Sequence, residues 1–244
     1  MTKLNREWVV QPHGRLTDVA SGLRTVEGSI VMPLGRFPRR MTIVAVKGGG
    51  QLVWSPIALG EAAMEELLAT GPVRFIVVPN RAHRLDLAAW KARFPKAKII
   101  APPGTRTAVG EAAKVDSTRN TIGDPAIRLR TFDGLKENEF LMEVERDDGV
   151  SLLLNDMLAN VRHPKGLGAK VMARLFGFGV KRPQTPRIVR RSFVQDGQAA
   201  GRQFRALAAI PQLRRIIPSH GDIIDRAPAD ALLRAAADYP PAGD

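Results

Sequence analysis

Residues 60–101, GEAAMEELLATGPVRFIVVPNRAHRLDLAAWKARFPKAKIIA, decide the fold. Across Gly60–Thr70, Ala63 with Leu67 and Met64 with Leu68 stand four apart, the spacing of one helix face. Gly71-Pro72 stops that helix. Val73–Val78 (VRFIVV) is short and almost wholly apolar, as in a strand covered on both sides. Leu85–Phe94 reads as a second helix with Leu87, Trp90 and Phe94 on one face, Pro95 ends it, and Lys98–Ala101 reads as the next strand. With Gln51–Trp54 in front, the order is strand, helix, strand, helix, strand, the signature of parallel βαβ units.

Working outward, Ser29–Pro33 and Met41–Val46 are β-rich, and Gly48-Gly49-Gly50 is a turn, so 41–54 reads as a hairpin. On the other side, Ala126–Phe132, Phe140–Arg146 and Ser151–Asn155 read as strands, the last two joined by a tight turn at Asp147-Asp148-Gly149. Leu158–Gln195 is rich in Arg, Lys, Gly and Pro, with one helix at Gly168–Phe176. Ala199–Ala209 (helix), Arg215–Pro218 (strand) and Asp230–Asp238 (helix) follow. No linker divides the chain, and the economical reading is one α/β domain over residues 1–244. Trp54, Trp90 and Phe94 are read as core.

Composition narrows the chemistry. The 244 residues include no cysteine, which excludes a disulfide framework, a zinc finger, an iron–sulfur site and a cysteine nucleophile. The histidines are four: His13, His83, His163 and His220. The formal charge is +13, and Lys181–Arg191 holds five basic residues and no acid. Such a surface attracts phosphates and nucleic acid, whereas aromatics for base stacking are scarce at 5%. An Arg-rich solvated surface explains the same stretch. No signal-peptide core or run of ~20 apolar residues is visible, so the sequence reads as a cytoplasmic protein with no membrane segment. It says nothing of oligomeric state.

Ligands collect just past the C-terminal ends of parallel strands. Three such exits carry polar residues: Pro79-Asn80-Arg81-Ala82-His83, Asn155-Asp156, and Ser219-His220-Gly221-Asp222. If they share one edge, His83, Asp156 and His220 converge, and two imidazoles with a carboxylate suit zinc, manganese or iron with positions open for water. The bland reading of each is a hydrogen-bonding loop histidine or a turn-forming aspartate. His163 is read as exposed, and Asp86 as a helix cap.

On these residues the chain resembles the metallo-β-lactamase-like superfamily over roughly residues 25–225. Ser55-Pro56-Ile57 stands where that superfamily has Asp-x-Gly, VPNRAH where it has HxHxDH, LLLNDML (152–158) where it has Gly-Asp-x-Leu-Phe, and IIPSHGD (216–222) where a late strand ends in His-Gly. The likeness is greatest to a branch with Pro-Asn-x-x-His in place of HxHxDH. The resemblance implies an αββα sandwich of two mixed β-sheets flanked by helices. It also implies metal-dependent hydrolysis, with His83, Asp156 and His220 as ligands, Asp156 doubling as the catalytic carboxylate that orients water, and Asn80 and Arg81 facing substrate. The departures are specific. HxHxDH falls on Val78, Asn80, Ala82 and His83, so three of its four ligands are missing, and no histidine lies near Phe132–Glu139. The site is therefore at most mononuclear. Two other functions fit the same residues: a non-catalytic binding protein with no metal, and a basic nucleic-acid-binding relative.

Overall fold

The computed structural model describes residues 4–32, 35–164 and 166–239. The chain begins with a meander: β1 (His13–Ala20), β2 (Leu23–Met32) and β3 (Gly35–Ala45) run antiparallel to one another, and β4 (Gln51–Trp54) returns antiparallel to β3. Then α1 (Glu61–Leu68) and α2 (Leu87–Arg93) cross over to β5 (Val73–Val77) and β6 (Lys98–Ile100), which extend the sheet in parallel from β4. After α3 (Arg106–Gly110), a second sheet forms from β7 (Ile127–Thr131), β8 (Phe140–Arg146) and β9 (Gly149–Leu154), all antiparallel, with β10 (Leu213–Pro218) added in parallel beside β9. Its helices are α4 (Leu167–Phe176), α5 (Arg187–Ser192), α6 (Gly197–Ala208) and α7 (Pro228–Ala236).

Three apolar cores separate four layers. Leu52, Trp54, Phe75 and Val77 of the first sheet meet Phe140, Met142, Val144 and Leu153 of the second. The alternate residues of the first sheet, such as Ile43, Val53 and Ile76, pack under Met64 and Leu67 of α1 and Leu87 and Trp90 of α2. On the far side, Leu141, Leu152 and Ile216 pack under Phe204 and Leu207 of α6 and Leu232 and Ala235 of α7. Alternation along each strand thus splits its side chains between two cores. The result is an αββα sandwich of two mixed sheets. Truncating an inter-sheet residue such as Leu153 costs about 2–5 kcal/mol.

The expected strands and helices are present, with three differences. β1 was not expected: HGRLTDVA lies at the sheet edge, largely in contact with solvent, so no apolar alternation marks it. β2 and β3 are longer than Ser29–Pro33 and Met41–Val46; Pro33 itself lies outside the described residues. Pro38 interrupts the strand pattern of β3, yet it is tolerated because β4 pairs only with Thr42–Ala45 and leaves 35–40 on a free edge. The short helix α5, in the Arg-rich stretch, was also not expected. Trp54 and Trp90 are buried and Phe94 packs against the outer core.

That free edge of β3 matters most for the site. Arg40 donates its backbone N–H to Ser219 O (2.8 Å). The Arg40 guanidinium reaches Gly221 O (2.9 Å). The loop leaving β10 is thereby docked on the first sheet, and His220 lies between the two contacts.

Candidate metal centre

The exits of β4, β5, β9 and β10 open at one edge. β5 runs into Asn80, which caps a 3-10 turn (Arg81–Arg84) by accepting Ala82 N–H on its Oδ1 (2.8 Å). His83 within the turn has φ −90° and ψ 18°, a sparsely populated conformation common in active sites. Ser55, just past β4, has φ 56°, strained for a side chain other than glycine, and its Oγ lies 2.7 Å from His83 Nδ1. On the other sheet, Asp156 follows β9. Ser219 is tied back by its N–H to Leu154 O (2.9 Å), so His220 follows beside Asp156.

These residues converge. Asp156 Oδ1 lies 3.0 Å from His220 Nε2 and 3.4 Å from His83 Nε2, and the two Nε2 atoms are 3.2 Å apart. The three form a group whose ligand atoms could hold a metal ion. Three donors tetrahedrally placed around zinc at ~2.0–2.1 Å are about 3.3–3.4 Å from one another, close to these spacings.

The tautomers carry the chemistry further. Pro38 O is 2.8 Å from His220 Nδ1. A carbonyl only accepts, so Nδ1 carries a proton, and in the neutral ring Nε2 then turns a lone pair toward the Asp156 carboxylate. Two electron pairs facing each other at 3.0 Å require a positive charge between or beside them, either a proton or a metal ion. A ligating histidine anchored through its other ring nitrogen is the arrangement that fixes a metal-binding tautomer. The donor set therefore fits a divalent ion of the zinc class.

Electrostatics agrees. Burial drives His83 below the ordinary histidine value, against the opposing pull of Asp156, so the ring favours its neutral, ligating form. Burial pushes the Asp156 carboxyl up, but without an ion a proton on the facing imidazole nitrogens is shared with it, and these hydrogen bonds to His220 and His83 outweigh burial and hold the group well below the usual carboxylate range. Asp156 is 20% exposed, whereas the two imidazoles are 7% exposed, so the carboxylate is the face the site turns to solvent. Phe37 packs on the His220 ring (centroids 4.8 Å apart) and Phe178 packs edge-on against Phe37 (4.9 Å), shielding that side.

Glu139 is the residue that sequence reasoning missed. It lies just before β8, in the stretch where the resembled superfamily places a histidine. Phe140 N–H bonds Pro79 O across the sheets (2.9 Å), which sets Glu139 beside Asn80. Asn80 Nδ2 donates to Glu139 Oε2 (2.9 Å) and to Asp156 Oδ2 (2.7 Å), and Met157 N–H donates to Glu139 Oε1 (3.0 Å). Because Oδ1 is taken by Ala82 N–H, the amide can face the two carboxyls only with its NH₂ group. Burial first, and the Asp156 charge second, push Glu139 up to about 8. The only sequence signal was an acid directly ahead of an apolar strand.

The remaining expected residues lie as follows. Asn80 is buried, and its amide is engaged by Ala82, Glu139 and Asp156. Arg81 is exposed, with its guanidinium 5.2 Å from the Phe193 ring centroid. His163 is exposed, 4.0 Å from Asp222. His13 is held by Gly60 N–H (2.9 Å). Asp86 does not act as the expected cap: its side chain makes no cap hydrogen bond and is buried against Arg39 (2.6 Å). No helix among the described residues is long and apolar enough to cross a membrane.

By sequence, the chain significantly matches no family model and no curated protein. Its structure is similar to those of metallo-β-lactamases. The enzyme from Pontibacter korlensis aligns with TM-score 0.63 and 13% identity over 92% of this chain and 99% of that one. The enzyme from Erythrobacter litoralis, with β-mercaptoethanol in its active site, gives 0.60 and 16% over 91% and 96%. FIM-1 from Pseudomonas aeruginosa, in its mono-zinc form, gives 0.59 and 14% over 94% and 96%. With both sheets, their order and the helix layers accounted for, this chain has the metallo-β-lactamase fold.

Proposed function

We propose that the protein is a metal-dependent hydrolase with a single-ion site in which His83, His220 and Asp156 are the ligands and zinc is the resident ion. The observation that carries this reading is the convergence of the two Nε2 atoms on Asp156 Oδ1, with His220 Nδ1 committed to Pro38 O. The mono-zinc form of a structural neighbour supports the stoichiometry. An ion bound there would supply Lewis acidity and make water a stronger acid near neutral pH.

The chain's own groups do the rest. Asp156 has two oxygens with different partners: Oδ1 faces the histidines and Oδ2 accepts from Asn80. Asn80 fixes the carboxylate plane, so the carboxylate can orient water at its exposed face. Glu139, held largely protonated near pH 7 by burial, avoids a second full negative charge beside Asp156. Ala82 offers no carboxylate where the HxHxDH motif has one, which leaves Asp156 as the water-orienting group of the site. Arg81, exposed at the same turn, is the cation available to an anionic substrate.

The test is elemental analysis of untagged protein purified without chelator, alongside His83→Ala and His220→Ala. Near-stoichiometric metal in the parent and its loss in both variants is expected, and this would justify a screen of ester, amide and phosphoester substrates. A parent that stays metal-free after loading with zinc, manganese and iron overturns the hydrolase reading.

A further inference from the structure

Behind His220 lies a cleft of about 490 Å³, within the size range of small-molecule sites. Its walls are the β2–β3 hairpin with Pro12 and the start of β1 (His13-Gly14) on one side and the 161–164 loop with Gly221-Asp222 on the other. None of His83, Asp156 and His220 lines it. Its nearest link to them is backbone, through Pro38 and Gly221. It is therefore a different site from the metal centre.

Its chemistry is that of an anion receptor. Arg40 forms the floor, only 4% exposed, with Nη2 held between Glu27 Oε1 (2.6 Å) and Gly221 O (2.9 Å), Nη1 on Thr25 Oγ1 (3.1 Å), and Nε buried without a partner. Glu27 is thus committed to Arg40, just as Arg39 in the wall is committed to Asp86. Arg36 and Arg162 both line the cleft, are exposed, and make no hydrogen bond or ion pair through their side chains among the described residues. Asp222 is the remaining acid, with His163 4.0 Å away. Two exposed guanidinium groups and a third, buried one lining the same cleft match the several acceptor oxygens of a phosphoryl group better than a single carboxylate.

We propose that this cleft is a binding site for a small-molecule phosphoryl group, held by Arg36 and Arg162 over Arg40. A nucleic-acid strand is the less suitable occupant: the walls offer no Phe, Tyr or Trp side chain on which bases could stack, only the imidazoles of His13 and His163. The proposal does not depend on the metal centre.

The experiment is calorimetric titration of the full chain, after chelator treatment, with inorganic phosphate, phenyl phosphate and acetate. Arg36→Ala, Arg162→Ala and, as a control on the exposed side of α6, Arg202→Ala are titrated alongside, with circular dichroism confirming that each is folded. Saturable one-site binding of both phosphates, tenfold or more tighter than acetate, weakened at least tenfold by each cleft variant and unchanged by Arg202→Ala, is the expected result. Each of these outcomes overturns it: no saturable phosphate binding; acetate binding as tightly as phosphate; equal losses in Arg202→Ala, which would indicate only the general positive field; or a single-stranded oligonucleotide displacing phenyl phosphate with a steep dependence on salt. Binding seen only in untreated protein would place the phosphate on a metal instead, and also overturns the cleft assignment. Loss of the metal site alone leaves the expected result intact, so the two readings fail separately.

Discussion

Asp86 and Asp156 are both aspartates drawn into the protein near His83, and they meet opposite counter-charges. Asp86 is fully buried and faces the Arg39 guanidinium, with Asn5 Nδ2 (2.7 Å) on its other oxygen. Its partner carries a permanent charge, so the charge of the carboxylate is matched as it stands. Asp156 faces two imidazoles, one of which is anchored through its other ring nitrogen to Pro38 O, and it retains contact with solvent. It lacks a fixed positive charge. A buried carboxylate matched to an arginine holds structure together, whereas one matched to two imidazoles has no permanent counter-charge.

Substitutions can break that contrast. The largest effect is expected from Asp86→Asn, which strands the buried Arg39 charge and should cost about 3–5 kcal/mol in denaturant unfolding. Asp156→Asn in metal-free protein should cost less than half as much, and an equal or greater loss would mean that Asp156 too is structural. Zinc sharpens the comparison next. At free zinc one hundred times its dissociation constant, the parent and Asp86→Asn should each gain about 2.7 kcal/mol, while Asp156→Asn gains nothing. A gain retained in Asp156→Asn would place the ion elsewhere. Ser55→Ala and Asn80→Ala remove supports of His83 and Asp156 and should weaken zinc binding about 10–100-fold; unchanged affinity would show that these supports do not position the ligands.

The smallest effect per measured step is a slope in pH. Glu139 has a folded pKa, about 8, above its unfolded value of ~4.3. The folded state therefore holds more protons between those values, and the Glu139 contribution is full below the lower one and lost as pH rises through the window. Asp156 and His83 are lowered in the folded state, so they act in the opposite sense and lose stability as pH falls. The stability of the parent relative to Glu139→Gln should decline between about pH 4.3 and pH 8, with a slope of at most ~1.4 kcal/mol per pH unit. A flat difference would show that Glu139 is ionised throughout.

Local pattern carried most of the architecture. The alternation of apolar runs and helix faces from Gln51 to Ala101 gave the parallel layer, and VRFIVV, SLLLN and RIIP marked the strands whose exits hold Asn80, Asp156 and His220. Local pattern failed at β1, where an edge strand has no buried face to advertise, and at Asp86, where a position that looks like a cap carries a side chain turned inward to Arg39. Glu139 was hidden for a related reason: nothing in its neighbours in sequence says that Asn80 will lie against it.

Periodicity and residue chemistry by themselves thus established the α/β class, the exits at which polar groups stand, and the absence of cysteine chemistry. Folding alone settled which exits meet. His83 and His220 are 137 positions apart, and they touch because the free edge of β3 accepts the Ser219–Gly221 loop while Pro38 O fixes the His220 ring. Periodicity records which side of an element faces the core. It does not record which other element lies there, and the tautomer and charge of a histidine depend on that neighbour.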